Sequence, residues 1–162
     1  MIKIAVLGCG RIGQMHARNI SNHPDTSLVA VYDTNKEFGE KIANELNVKL
    51  VSDDKKIFED TNIDAILIAS PTGTHIEFIE KSVASNKPVY CEKPIDLDIS
   101  KVNECAKRLQ GNTTPIHLGF NRRFDPGHVT AKEAMRSGEI GDLHQVIITS
   151  RDPIIPSIEY YK

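Results

Sequence analysis

Short apolar runs punctuated by Gly, Pro and Asp recur along the first 119 positions, separated by longer amphipathic stretches. Runs of this length, hydrophobic on both alternating faces, are the pattern of strands buried in a parallel sheet. They predict strands at Lys3–Leu7, Leu28–Tyr32, Ala65–Ala69, Pro88–Cys91 and Ile116–Gly119, with a shorter one at Lys49–Val51. The intervening segments predict helices over Ile12–Ser21, Glu37–Leu46, His75–Ser85 and Ser100–Leu109. In the second of these, Phe38, Ile42, Ala43 and Leu46 fall on one helical stripe and are expected in the core. Ser100 stands where an N-cap is expected, and Lys107 and Arg108 sit near that helix's C-terminal end, where cations are favoured. Strand–helix alternation with right-handed crossovers gives an α/β fold, a doubly wound parallel sheet whose ligand crevice lies at the carboxyl ends of the strands.

The first strand runs into Gly8-Cys9-Gly10-Arg11-Ile12-Gly13, and the second ends at Asp33, twenty residues past Gly13. The order strand, glycine turn, helix, strand, acid is the dinucleotide-binding fingerprint. Gly8 serves the tight turn, Gly10 lets backbone approach a pyrophosphate, and Gly13 lets helix lie close on strand. The helix N-terminus offers unpaired N–H groups to the phosphates, and the Asp33 carboxylate can accept both hydroxyls of an adenine ribose. Cofactor-binding residues expected here are Gly8, Gly10, Arg11, Ile12, Gly13, Asp33 and Thr34. A 2′-phosphate would meet the Asp33 carboxylate. Thr34 and Asn35 supply no arginine to neutralise it, and Lys36 is the one cation nearby. NAD is therefore favoured over NADP.

Two further segments end strands in the same crevice. Ser70-Pro71-Thr72-Gly73-Thr74-His75 follows the strand at Ala65–Ala69. Ser70, Pro71, Thr72 and His75 are candidate cofactor contacts, while Thr74 either joins them or caps the following helix. Glu92-Lys93-Pro94 follows the next strand. The Lys93 ammonium either reaches a substrate hydroxyl and stabilises a developing alkoxide, or forms a surface pair with Glu92.

The dinucleotide-binding domain is read as residues 1–119, and residues 120–162 as the beginning of a second, α+β domain. There, Asp125 and Pro126 open a helix over Gly127–Arg136, and Leu143–Ser150 reads as the first strand of a second sheet. Arg122 or Arg123 is placed to bind an anionic or polyhydroxy ligand through its planar fork, the alternative being a structural Arg–Asp bridge. His117, within an apolar run, is read as a core histidine.

Composition narrows the partners. With 40% hydrophobic and 26% charged residues and a net charge of −2, the 162-residue chain has no general attraction for nucleic acid or an anionic membrane. No apolar run approaches the length of a membrane span and the start lacks a signal-peptide layout. The cysteines, Cys9, Cys91 and Cys105, are odd in number and widely spaced, which argues against a disulfide framework or a cysteine zinc site. The histidines show no metal-ligand spacing. A cytoplasmic setting is the reading that follows.

Gly8–Gly13, Cys91-Glu92-Lys93-Pro94 and Gly119-Phe120-Asn121-Arg122-Arg123-Phe124-Asp125 together resemble the N-terminal part of the Gfo/Idh/MocA oxidoreductases. With Ile148-Thr149-Ser150-Arg151-Asp152-Pro153, the likeness is greatest to the inositol dehydrogenases of that family. The resemblance implies NAD(P)-dependent oxidation of a ring hydroxyl, with Lys93 as the catalytic lysine and Glu92 and Arg122 beside the cofactor. It places Lys93, Arg122, Ser150 and Asp152 toward a small polyol or sugar substrate. It also implies a cis Lys93–Pro94 bond and a homo-oligomeric (dimeric or tetrameric) full-length enzyme. Family members continue into a glycine-rich segment whose histidine acts as general base. The chain accordingly reads as a truncated dehydrogenase, expected to bind the dinucleotide but turn over inositol negligibly. The competing expectations are action on another sugar or sugar acid, and a non-catalytic NAD-binding domain.

Overall fold

A computed structural model describes residues 1–151. It divides into two compact units, Met1–Phe120 and a second beginning at Asn121. The first unit holds six parallel strands: β1 (Ile2–Leu7), β2 (Thr26–Tyr32), β3 (Lys49–Val51), β4 (Ala65–Ile68), β5 (Val89–Cys91) and β6 (Ile116–Leu118). Their order across the sheet is β3-β2-β1-β4-β5-β6. The order reverses between β1 and β4, the place where such sheets open a ligand crevice.

Side chains of successive strand residues enter two separate cores. On one face Ala5, Leu7, Ile66, Ile68, Val89 and Cys91 pack with Ile57 and Phe58 of α3 (Lys55–Glu59) and Phe78 and Ile79 of α4 (His75–Ala84). On the other, Val6, Leu28, Val31 and Leu67 pack with Ala17 and Ile20 of α1 (Arg11–Asn22) and Ile42 and Ala43 of α2 (Lys36–Leu46). Leu7, Ile42, Ile57, Ile66, Ile68 and Ile79 are fully buried, each contributing about 1.5–3 kcal/mol of transfer free energy. The register between β1 and β2 slips by one residue, Ile4 facing Leu28 but Ala5 facing Ala30. Val29 is the extra residue of this bulge, and it packs on the same face as Ala30.

Several expectations need correction. The N-cap of α5 (Ile99–Arg108) is Asp98, whose carboxylate accepts the amide of Ser100, so the helix starts before Ser100. Helix α3 has only five residues, too short to show a period in sequence. His117 is exposed rather than buried, because β6 is an edge strand; its ring stacks on Tyr90 at 5.4 Å.

In the second unit α6 (Pro126–Arg136) forms with Pro126 in its first turn, and the Asp125 carboxylate accepts the amide of His128 at 3.2 Å. Residues 143–150 do not form the expected strand. A strand exists only by pairing its backbone, and among the described residues none pairs with this segment. Asp152 lies outside the described residues.

Candidate cofactor-binding site

The turn after β1 is built by two glycines with opposite surroundings. Gly8 has φ +95°, and a Cβ there would collide with the backbone of Ala69 and Ser70, so the phosphate turn and the end of β4 are in direct backbone contact. A Cβ on Gly13 would strike the Gly8 carbonyl, which holds α1 tight against the turn. Gly10 differs: nothing lies within 4 Å of the Cβ position. It opens α1 with no side-chain cap, and the first turn carries no acid. The N–H end of α1 is thus left for an external anion, with room at Gly10 for it to approach.

Asp33 closes the far side. One carboxylate oxygen accepts the Cys9 amide at 2.6 Å and the other the Asn35 amide at 2.7 Å. Each oxygen retains a lone pair, as a bidentate acceptor of two hydroxyls requires. The cleft between them measures about 420 Å³ and is lined by Gly8, Gly10, Arg11, Ile12, Asp33, Thr34, Ser70 and Pro71, all singled out in the sequence, together with Asn35, Phe38 and Ala69. Phe38 departs from the expected core position. It is 44% exposed and lines this cleft. The aromatic type at the start of α2 was the available signal, and its position on the apolar stripe concealed it. Gly39, the next residue, is buried, and a Cβ there would meet Leu50 of β3 at 2.6 Å.

Cys9 is buried at the turn, its Sγ 3.6 Å from the Tyr32 carbonyl. Burial, reinforced by the Asp33 charge, pushes the thiol up to about 12, so it is neutral and unreactive near neutral pH.

The β4 and β5 ends carry the remaining residues of this unit. Thr74 does not cap α4; its hydroxyl donates to the Pro71 carbonyl at 2.7 Å and lies 2.7 Å from the Ser70 hydroxyl. This knits the 3₁₀ turn Thr72–Thr74 shut. His75 is buried at 2% exposure, and its ring nitrogens lie against the backbone carbonyls of Ser70 and Pro94. Its side chain is therefore directed into the protein.

Glu92 does not pair with the Lys93 ammonium. Its carboxylate lies 2.8 Å from His16 Nε2, accepts the Tyr90 hydroxyl at 3.4 Å and takes the Lys93 backbone amide at 3.3 Å. Burial and the Glu92 charge raise the Tyr90 phenol above its ordinary value. Gly119 packs against this group, since a Cβ there would come within 2.8 Å of the Tyr90 hydroxyl. His16 was missed because its partner lies 76 residues away in sequence. Lys93 is exposed and its ammonium makes no ion pair among the described residues. The Lys93–Pro94 peptide bond is cis.

In the second unit Arg122 forms an ion pair with Asp125 at 3.5 Å, one turn along the same segment. Arg123, His128 and Lys132 join it around a cavity of about 330 Å³. Asp125 is held below its ordinary value, first by the hydrogen bond from His128. Ser150 is exposed.

Residues 2–120 match the family model of the Gfo/Idh/MocA oxidoreductases, described as an oxidoreductase family with an NAD-binding Rossmann fold. The chain belongs to this family. It is 40% identical over 161 residues to the inositol 2-dehydrogenase of Rhizobium meliloti, a match covering 99% of the chain and 48% of the relative. It is 36% identical over 162 residues to the myo-inositol 2-dehydrogenase of Thermotoga maritima, with the same coverage of each. In structure it resembles the scyllo-inositol dehydrogenase of Lactobacillus casei solved with bound NAD(H) and scyllo-inositol. The TM-score is 0.81 at 34% identity, covering 88% of this chain and 43% of that one. The chain spans about half the length of the curated relatives it matches. Among the described residues no helix is long and apolar enough to cross a membrane.

Proposed function

We propose that the chain is the cofactor-binding part of an NAD-dependent dehydrogenase that oxidises a ring hydroxyl of a cyclic polyol, with an inositol as the substrate class. The observation carrying this reading is the pairing of an uncapped, anion-ready turn with an acid. Gly10 leaves its space open, and Asp33 stands across the cleft with two free lone pairs. The relatives named for inositol oxidation support the substrate class.

NAD, when bound, supplies the hydride acceptor. The N–H groups at the start of α1 hold the pyrophosphate, and the Asp33 carboxylate holds the adenine ribose and disfavours a 2′-phosphate. Phe38 offers an aromatic edge or face to the adenine. Lys93 leaves β5 beside the Ser70 segment, since Cys91 and Ile68 are paired across the two strands. Its unpaired ammonium is the donor that stabilises negative charge growing on the substrate oxygen as the hydroxyl proton passes to a general base, the part the family resemblance gives to a histidine outside these residues. Arg122, Ser150 and Asp152 are proposed substrate-side residues.

Titration calorimetry of the 162-residue chain with NAD and NADP tests the cofactor reading: NAD is expected to bind, and to bind more tightly. Absence of NAD binding overturns it. The substrate reading is tested with the whole protein, by NAD reduction across a panel of inositols, other sugars and sugar acids. Preference for a sugar acid would replace the polyol.

A further inference from the structure

The ladder between β4 and β5 ends with the Glu92 amide donating to the Ile68 carbonyl at 2.9 Å. Beyond that bond the two strands release the segments that matter most to the proposed chemistry, Ser70–Thr74 and Lys93–Pro94. Among the described residues no further backbone hydrogen bond joins these segments. One side chain does. The His75 ring has Nε2 2.8 Å from the Ser70 carbonyl and Nδ1 2.7 Å from the Pro94 carbonyl, and only 2% of the residue is exposed.

We propose that His75 is a positioning residue: it ties the cofactor-side segment at Ser70 to the turn that carries Lys93, and so sets where the lysine ammonium stands. This rests on Lys93 acting at the reacting centre. Both partners of the ring are carbonyl oxygens, which accept and cannot donate. The ring is held between the two carbonyls, and its tautomer decides which of them receives the N–H. Neighbouring contacts fit a tie anchored at both ends. The Ser70 end is braced by the Thr74 hydroxyl, which also bonds the Pro71 carbonyl. The Lys93 end is braced by Glu92, held in turn by His16. The adenosine end of the cleft, at Asp33 and Phe38, has no part in this bridge. Loss of the tie therefore leaves adenosine recognition intact and loosens the opposite end.

The test compares the wild-type chain with His75→Phe, which keeps ring volume without N–H donors, and His75→Gln, which keeps a donor at the cost of packing. AMP, NAD and the thermal midpoint are measured for each. The tie predicts unchanged AMP affinity in both variants, NAD binding weakened about tenfold in His75→Phe, and partial recovery in His75→Gln. Phe equal to wild type, or better than Gln, assigns the residue to packing and overturns the proposal. Ring N–H exchange followed by NMR in the wild-type chain stands independent of any variant's folding: a slowly exchanging ring proton is expected, and exchange as fast as in a free imidazole overturns the tie. Failure of the wild-type chain to bind NAD would sink the cofactor reading while leaving the NMR result to judge the tie.

Discussion

His16 Nε2 on the first helix stands 2.8 Å from the Glu92 carboxylate, which also receives the backbone amide of Lys93. The side chains are only 16% and 19% exposed. The helix that opens the phosphate turn is thereby fastened to the residue immediately before the lysine. A carboxylate at position 92 thus organises backbone, while leaving the neighbouring ammonium available.

Glu92→Ala removes three acceptor contacts at once and leaves partly buried donors unpaired. A loss of about 1–3 kcal/mol in unfolding free energy is expected, with Glu92→Gln losing less. Urea denaturation measures the stability, and the amide shift of Lys93 reports the local rearrangement. An Ala variant as stable as wild type with an unmoved Lys93 amide would show that the carboxylate organises nothing.

The two turn glycines are expected to respond oppositely to alanine. Gly8→Ala forces a side chain into positive φ and into the Ser70 backbone, so the folded state itself should be lost or strongly destabilised. Gly10→Ala meets open space in the chain alone. It should melt close to wild type yet bind NAD at least about tenfold more weakly, since the methyl group occupies the phosphate approach. Equal NAD affinity in Gly10→Ala would move the pyrophosphate elsewhere.

Asp33→Asn removes the charge facing the ribose hydroxyls. Hydrogen bonds to a charged group contribute about 1.5–3 kcal/mol, so NAD affinity should fall roughly 10- to 100-fold and the NAD-over-NADP preference should shrink. Calorimetry with both dinucleotides checks this, and an unchanged ratio would remove Asp33 from cofactor selection.

Cys9 and Cys91 are both pushed from the ordinary 9.0 up to about 12, in each case chiefly by burial. Below pH 9 these thiols are protonated whether the chain is folded or not, and stability is unaffected by them. Between 9 and 12 the unfolded chain sheds protons that the folded chain keeps, so stability must fall as pH rises. Denaturation curves at about pH 8, 9.5 and 10.5 should show this decline, reduced in Cys91→Ala. Alkylation of both thiols should require unfolding; rapid labelling of the native chain would contradict their burial.

The six strands of the sheet lay near their predicted places, and the whole phosphate turn was readable, because local sequence carries both signals. Alternation and run length decide which residues seek burial, and glycine marks where a side chain has no room. Phe38 and His117 went the other way, and the polar partners of His75 and Glu92 were not legible. Phe38 sits on the right stripe of its helix but is 44% exposed and lines the cleft. His75 was read for a cofactor, and no local pattern announced that its ring lies between the Ser70 and Pro94 carbonyls. For Glu92 the pair with its neighbour Lys93 was one of two readings, and β5 delivers its carboxylate instead to a histidine 76 residues away. Residues 143–150 have the composition of a strand, but composition supplies no partner for its backbone. The chain's own order thus determined the sheet, the turn and the acid that make a nucleotide site. The choice of polar partners belonged to tertiary structure, because a hydrogen bond forms with whichever donor or acceptor packing brings within about 3 Å, however distant it is in sequence.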